Sequence, residues 1–157
     1  MSDVEAGSLY GLWGTLIVGV GVLCGGAIDA LGVRTSLLIS AAATMLARGV
    51  LATTSSPRLA AFALLGPASL GGALGVPVLT IGVKRASPPA SRAAAFSMFY
   101  VAMNLAALVA GGCRDLFAAP RFGGRVGGWG LRAYMAAGVA VAAAEVVLVV
   151  VGLPRVS

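Results

Sequence analysis

Five long apolar segments dominate this sequence, and each is close to the length that a helix needs to cross a bilayer. About 20 residues of helix, at 1.5 Å per residue, span roughly 30 Å of hydrocarbon. The segments lie at approximately 8–28, 35–54, 59–83, 93–112 and 131–151. None shows sustained alternation of apolar and polar residues, so a β-barrel is not expected. The sequence therefore predicts an all-α, polytopic transmembrane helix bundle of about five spans, forming a single domain over residues 1–157.

The composition favours the same class of protein. Apolar residues make up 59% of the chain and charged residues 10%, whereas a soluble domain carries about 25% charged residues. A soluble chain of this length has too much surface to bury so many apolar side chains. The basic residues that give the net charge of +6 lie in short connections between the spans, where basic residues reflect membrane topology. We expect a multi-pass integral membrane protein whose partner is the lipid bilayer, with no nucleic acid.

The sequence offers few groups for enzyme chemistry. It contains no His and only five acidic residues, so neither a metal centre nor a Ser/His/Asp arrangement can be assembled. Cys24 lies near the inner end of the first span and Cys113 near the outer end of the fourth, so they are at opposite membrane faces and too far apart for a disulfide. We predict no enzyme activity, no catalytic residue, no metal and no cofactor.

Glycine and proline indicate how the spans pack and bend. Gly21 with Gly25, and Gly71 with Gly75, have the four-residue spacing that lets membrane helices approach closely. Pro67 and Pro77 lie inside the third span, where each removes a backbone donor, so this helix is expected to bend or unwind locally.

The connection between the first two spans carries the most informative pattern. Gly25 leaves a flat face at a helix end, Asp29 places a negative charge at the membrane boundary, Gly32 permits a tight reversal and Arg34 anchors the next helix. The first span has acidic residues and no basic residue before it, which places the N-terminus outside and this connection in the cytosol.

This pattern resembles the signature loop G-x-x-x-D-x-x-G-x-R of the major facilitator superfamily. The resemblance implies a secondary transporter with a conformational latch, in which the carboxylate of Asp29 contacts the loop Arg34 and a helix N-terminus of the opposite half. Ala30 and Thr35 depart from the family, which usually has basic residues there. The latch is then weakened.

The resemblance extends over most of the chain. The basic connection at 83–92 is similar to the family loop between the fourth and fifth helices, and residues 99–105 are similar to the start of the fifth. The chain would then hold helices two to six of a twelve-helix transporter and would require the missing helices as partners. Phe62 stands where the family's fourth-helix motif has Arg, and the antiporter pattern G-P-x-x-G-G is absent from the fifth helix, so a drug exporter is disfavoured.

Polar residues inside the spans are the candidates for a solute site. Tyr100 and Asn104 share a helix face and offer a hydroxyl and an amide to a small-molecule solute, transported with a coupling ion. Thr80, beside Pro77, is a further candidate for this cavity. Interhelical hydrogen bonding is the alternative interpretation of Tyr100 and Asn104.

Two ionisable residues, Arg48 and Glu145, lie within spans, where charges are expensive and often functional. For Arg48 the alternative is a side chain that extends to the outer interface, and for Glu145 a protonated or interface-reaching carboxyl.

Two other function classes remain open. A small five-helix structural or assembly subunit without transport activity would agree with the even distribution of basic residues between the two sides. An oligomeric channel would require a ring of polar residues around one axis, and the sequence does not display one.

Overall fold

The chain forms a helical bundle. The computed structural model describes residues 3–119 and 129–152, and all regular structure in them is helical. Within these residues, five stretches are long and apolar enough to cross a membrane, which confirms the predicted all-α bundle of about five spans. The elements are α1 (Asp3–Thr53), α2 (Pro57–Ala63), a π-helical turn (Leu64–Ala68), α3 (Ser69–Ala86), a 3-10 turn (Pro89–Ser91), α4 (Arg92–Ala118) and α5 (Trp129–Gly152).

The first two spans form a hairpin that turns on one residue, Gly32, with φ 78° and ψ 163° inside α1. A Cβ on Gly72 would lie 3.0 Å from the Cδ1 of Ile17, and a Cβ on the neighbouring Gly71 would meet the Oγ1 of Thr44. A straight helix would separate Ile17 and Thr44 by about 40 Å. Because adjacent residues of α3 contact both, α1 must reverse between them.

The reversal divides α1 into a first arm, residues 3–31, and a second arm, residues 33–53. The sequence predicted a polar break over 29–34, but the backbone stays helical on both sides of Gly32. Glycine alone adopts this combination of φ and ψ without strain. The break is therefore a single residue long.

The second arm lies at the centre of the bundle and packs against α3 and α5. It runs antiparallel to α3, since Val33 lies beside Gly82 whereas Thr44 lies beside Gly71. Small residues at these contacts allow the two backbones to approach closely. The buried apolar core of the bundle consists of Ile28, Leu37, Leu74, Val78 and Val149.

The predicted glycine packing is confirmed in the third span. A Cβ on Gly71 would lie 3.1 Å from the carbonyl oxygen of Ser40, and a Cβ on Gly75 would lie 3.2 Å from the Ser40 hydroxyl. The same prediction is only partly right for the first span. A Cβ on Gly21 would make an ordinary 3.7 Å contact, and nothing lies within 4 Å of one on Gly25.

The predicted irregularity of the third span is confirmed at Pro67, which lies inside the π-helical turn Leu64–Ala68. A wider turn accommodates a proline because the ring removes one backbone donor. The hydroxyl of Ser69 donates to the carbonyl oxygen of Leu64 at 3.1 Å and so satisfies an acceptor at this turn.

The fourth helix lies at the margin of the bundle. None of the α4 side chains is buried, although Tyr134 of α5 donates to the carbonyl oxygen of Ala110 at 3.4 Å. The helix also continues to Ala118, beyond the predicted end of the fourth span at residue 112. Of the predicted break at 113–130, residues 120–128 lie outside the described residues.

Candidate functional site

The signature residues lie at the end of the bundle formed by the α1 reversal. Asp29 faces Arg85 in the last turn of α3, with 3.9 Å between Oδ1 and Nη2. The two side chains are 74% and 58% exposed, respectively. Such an exposed pair contributes little to stability. The Asp29 carboxylate therefore remains accessible to other groups.

Arg34 makes a different contact from the one that the family resemblance implies. Its Nη2 donates to the carbonyl oxygen of Val150 at 2.9 Å, in the last turn of α5. The free carbonyls of a helix C-terminus attract a cation, which accounts for this geometry. The expected pairing of Asp29 with Arg34 is thus replaced by two contacts, Asp29 with Arg85 and Arg34 with Val150.

Tyr100 and Asn104 lie together on one face of α4, as predicted, and both are exposed. Phe96, Phe99 and Met103 are among the half-buried residues of this helix and lie on the side that faces the bundle. At about 100° per residue, Asn104 points roughly 140° away from Phe99. Asn104 is therefore turned away from the other helices, whereas Tyr100, only about 40° around the helix from Phe96, lies at the edge of this outward polar face. Ser97 and Asp115 lie within about 20° of Asn104 on this side of the helix. The exposed apolar side chains of Val101 and Leu108 lie on the same side.

The third cavity candidate, Thr80, is not brought to this face. Its hydroxyl donates to the carbonyl oxygen of Pro77 at 2.7 Å within α3. The α-helix continues through Pro77, so the irregularity predicted there is not observed. The Thr80 hydroxyl satisfies the local backbone. No hydrogen bond in the described part of the chain joins Thr80 to Tyr100 or Asn104.

Arg48 and Glu145 both lie where the second arm of α1 meets α5. Arg48 is half-buried, and its side chain crosses Gly138, where a Cβ would lie 2.9 Å from Cδ and 3.0 Å from Cζ. Glu145 is also half-buried and lies on the same face of α5 as Gly138, because seven residues make nearly two turns. Glu145 lies about 10 Å along α5 from Gly138, so its carboxylate forms no ion pair with the Arg48 guanidinium.

Several polar contacts were not predicted. The Ser40 hydroxyl donates to the carbonyl oxygen of Gly71 at 2.9 Å, and the Nη2 of Arg132 donates to the Ser55 hydroxyl at 2.7 Å. The Ser36 hydroxyl is buried without a hydrogen-bond partner. Ser36 and Ser40 are one turn apart on a helix, a spacing that could have indicated a polar strip facing a neighbour.

These helices define a class of protein, the multi-pass membrane proteins, by their length and apolar composition. Comparison of the chain with protein families, curated proteins and solved structures finds no match.

Proposed function

We propose that this chain is part of a secondary transporter of the major facilitator type, which moves a small solute across the membrane by alternating access. The observation that carries this proposal is the outward polar face of α4. Tyr100 and Asn104 are exposed there, and neither makes a hydrogen bond within the described residues.

A polar helix face is unfavourable against hydrocarbon, because lipid supplies no hydrogen-bond partner for an amide or a hydroxyl. Such a face is stable against water or against another protein surface. In the proposed transporter the outward face of α4 borders a central cavity, and the missing helices close the opposite side. The Asn104 amide and the Tyr100 hydroxyl then bind the solute.

The end of the bundle at Gly32 supports the same proposal. The Asp29 carboxylate is 74% exposed, and nothing lies within 4 Å of a Cβ built on Gly25. Both positions are therefore free to contact a further set of helices. In the proposed mechanism, Asp29 contacts a helix N-terminus of the opposite half in one conformation, and transport breaks that contact.

Solute uptake into liposomes tests the proposal. The full-length gene product, with helices before and after residues 1–157, is reconstituted and screened with a panel of radiolabelled solutes. Asn104→Ala is expected to reduce uptake of the transported solute about five- to thirtyfold, since a lost polar contact of this kind is worth roughly 1–2 kcal/mol.

The matched control is Leu105→Ala, which changes the adjacent, exposed position but not the polar face. We expect this variant to retain uptake. If the Asn104→Ala variant took up as much solute as the unaltered protein, the claim that Asn104 binds the solute would be wrong. Solute flux through residues 1–157 alone would contradict the need for a second half.

A further inference from the structure

Arg48 holds a positive charge well inside the second span. It lies five residues before the end of α1 at Thr53, or about 7.5 Å along the helix. Its guanidinium crosses Gly138, which is nine residues from the start of α5 at Trp129, or roughly 13 Å along that helix. The Arg48 side chain therefore lies against α5, inside the ends of both helices.

The guanidinium has no acceptor of its own. Within residues 3–119 and 129–152, Arg48 makes no hydrogen bond and no ion pair. The acid on the facing helix, Glu145, is about 10 Å further along α5, and Arg34 is bonded to Val150 at the far end of the same interface. A guanidinium carries five N–H donors, and leaving them unpaired inside hydrocarbon is unfavourable.

Gly138 gives this site its shape. A side chain at position 138 would collide with Arg48, because a Cβ there would meet its Nη1. With glycine, the guanidinium lies against the backbone of α5 and remains partly exposed. Its free edge can therefore receive a planar, two-oxygen group, the geometry that arginine binds best.

We infer that Arg48 and Gly138 form a binding site, the Arg48 site, for an oxyanion such as a carboxylate or a phosphate group. The group comes either from a dissolved anion or from the headgroup of an anionic lipid, since both present the same chemistry. The inference does not depend on transport, because it rests on the charge, the missing acceptor and the gap at Gly138.

Direct binding tests the site. The purified chain in dodecyl maltoside, a neutral detergent, is dialysed against radiolabelled inorganic phosphate. In a second arm, the chain is purified from bilayers containing phosphatidylglycerol, and the lipid molecules retained per chain are counted by native mass spectrometry. Saturable phosphate binding identifies a dissolved anion as the ligand source, and retained phosphatidylglycerol identifies the lipid headgroup.

Arg48→Gln is expected to weaken binding in the responding arm at least about tenfold, since a two-pronged charged pair is lost. The matched control is Arg58→Gln. Arg58 is an exposed arginine at the start of α2, at the same end of the bundle. Its substitution removes the same charge and should leave binding unchanged.

Gly138→Ala provides a second test in which the charge is kept. The added methyl group must displace the guanidinium, so affinity should fall several-fold while the helix content measured by circular dichroism stays constant. The inference would be overturned if either variant, Arg48→Gln or Gly138→Ala, bound the ligand with the affinity of the unaltered chain. Equal loss in Arg58→Gln, or the absence of binding in both arms, would also overturn it.

Discussion

The Ser40 hydroxyl donates to the carbonyl oxygen of Gly71 at 2.9 Å and so joins the second arm of α1 to α3. Ser36, one turn earlier on the same arm, is fully buried, and its hydroxyl has no hydrogen-bond partner in residues 3–119 and 129–152. A helical serine usually donates to the carbonyl four residues before it. For Ser36 that residue is Gly32, whose ψ of 163° turns the carbonyl away from the helix direction.

The two serines should therefore respond in opposite ways to alanine. Ser40→Ala removes an interhelical hydrogen bond and should lower the free energy of unfolding by about 0.5–1 kcal/mol. Ser36→Ala removes a buried hydroxyl that has no acceptor, so stability should stay constant or rise by up to about 1 kcal/mol. Unfolding in dodecyl sulfate, followed by circular dichroism, measures both. A larger loss for Ser36→Ala than for Ser40→Ala would contradict the assignment.

Gly71 is the closest contact between the second arm and α3. A Cβ there would lie 3.1 Å and 3.3 Å from backbone atoms of Ser40 and Thr44, which cannot rotate away. Gly71→Ala should therefore force the helices apart and destabilise the bundle by about 1–3 kcal/mol. Gly49→Ala is the matched control, since nothing lies within 4 Å of a Cβ at that position. Equal stability of the two variants would show that the contact is looser than described.

The pattern G-x-x-x-D-x-x-G-x-R has glycine at two fixed positions, Gly25 and Gly32, and only Gly32 needs to be glycine for this bundle to fold. Gly32→Ala places a Cβ on a residue with φ 78°, which should cost about 1–3 kcal/mol of strain. Gly25→Ala adds a methyl group to a helical position with open space around it, so the thermal unfolding midpoint should barely change. A large destabilisation by Gly25→Ala would indicate that its surroundings differ from those described.

Arg34 and Arg85 both lie near the reversal of α1 but contribute differently. Arg34→Gln removes a charged hydrogen bond to the end of α5 and should lower the free energy of unfolding by roughly 1.5 kcal/mol. Arg85→Gln removes an exposed pair with Asp29 and should change it by less than about 1 kcal/mol. Urea unfolding in micelles of neutral detergent compares the two. The reverse order would contradict the structure.

The number and approximate positions of the spans could be predicted because a bilayer fixes the length and apolar character of any helix that crosses it. The face shared by Tyr100 and Asn104 followed from helical periodicity alone. Local sequence also indicated the irregular turn at Pro67, since proline removes a donor wherever the chain is placed.

The remaining contacts depend on which helix faces meet, and the sequence of one helix does not contain that information. Arg34 was matched to Asp29 by a family pattern, yet the free carbonyls at the end of α5 provide its acceptor. The site at Arg48 depends on Gly138, a residue that stands out only once α5 is placed against the second arm. Similarly, nothing in α4 itself indicates that its polar face is turned outward.

The central claim is that the outward polar face of α4 borders water in the assembled transporter. In the full-length gene product, Cys24 and Cys113 are first replaced by serine. Asn104→Cys and Leu105→Cys are then introduced separately into this background. Membranes that contain each variant are treated with a membrane-impermeant, charged maleimide. Both positions are exposed and at almost the same depth, but they lie on different faces of α4. The maleimide is expected to label the cysteine at position 104 and not the cysteine at position 105. Equal protection of both cysteines would contradict the central claim.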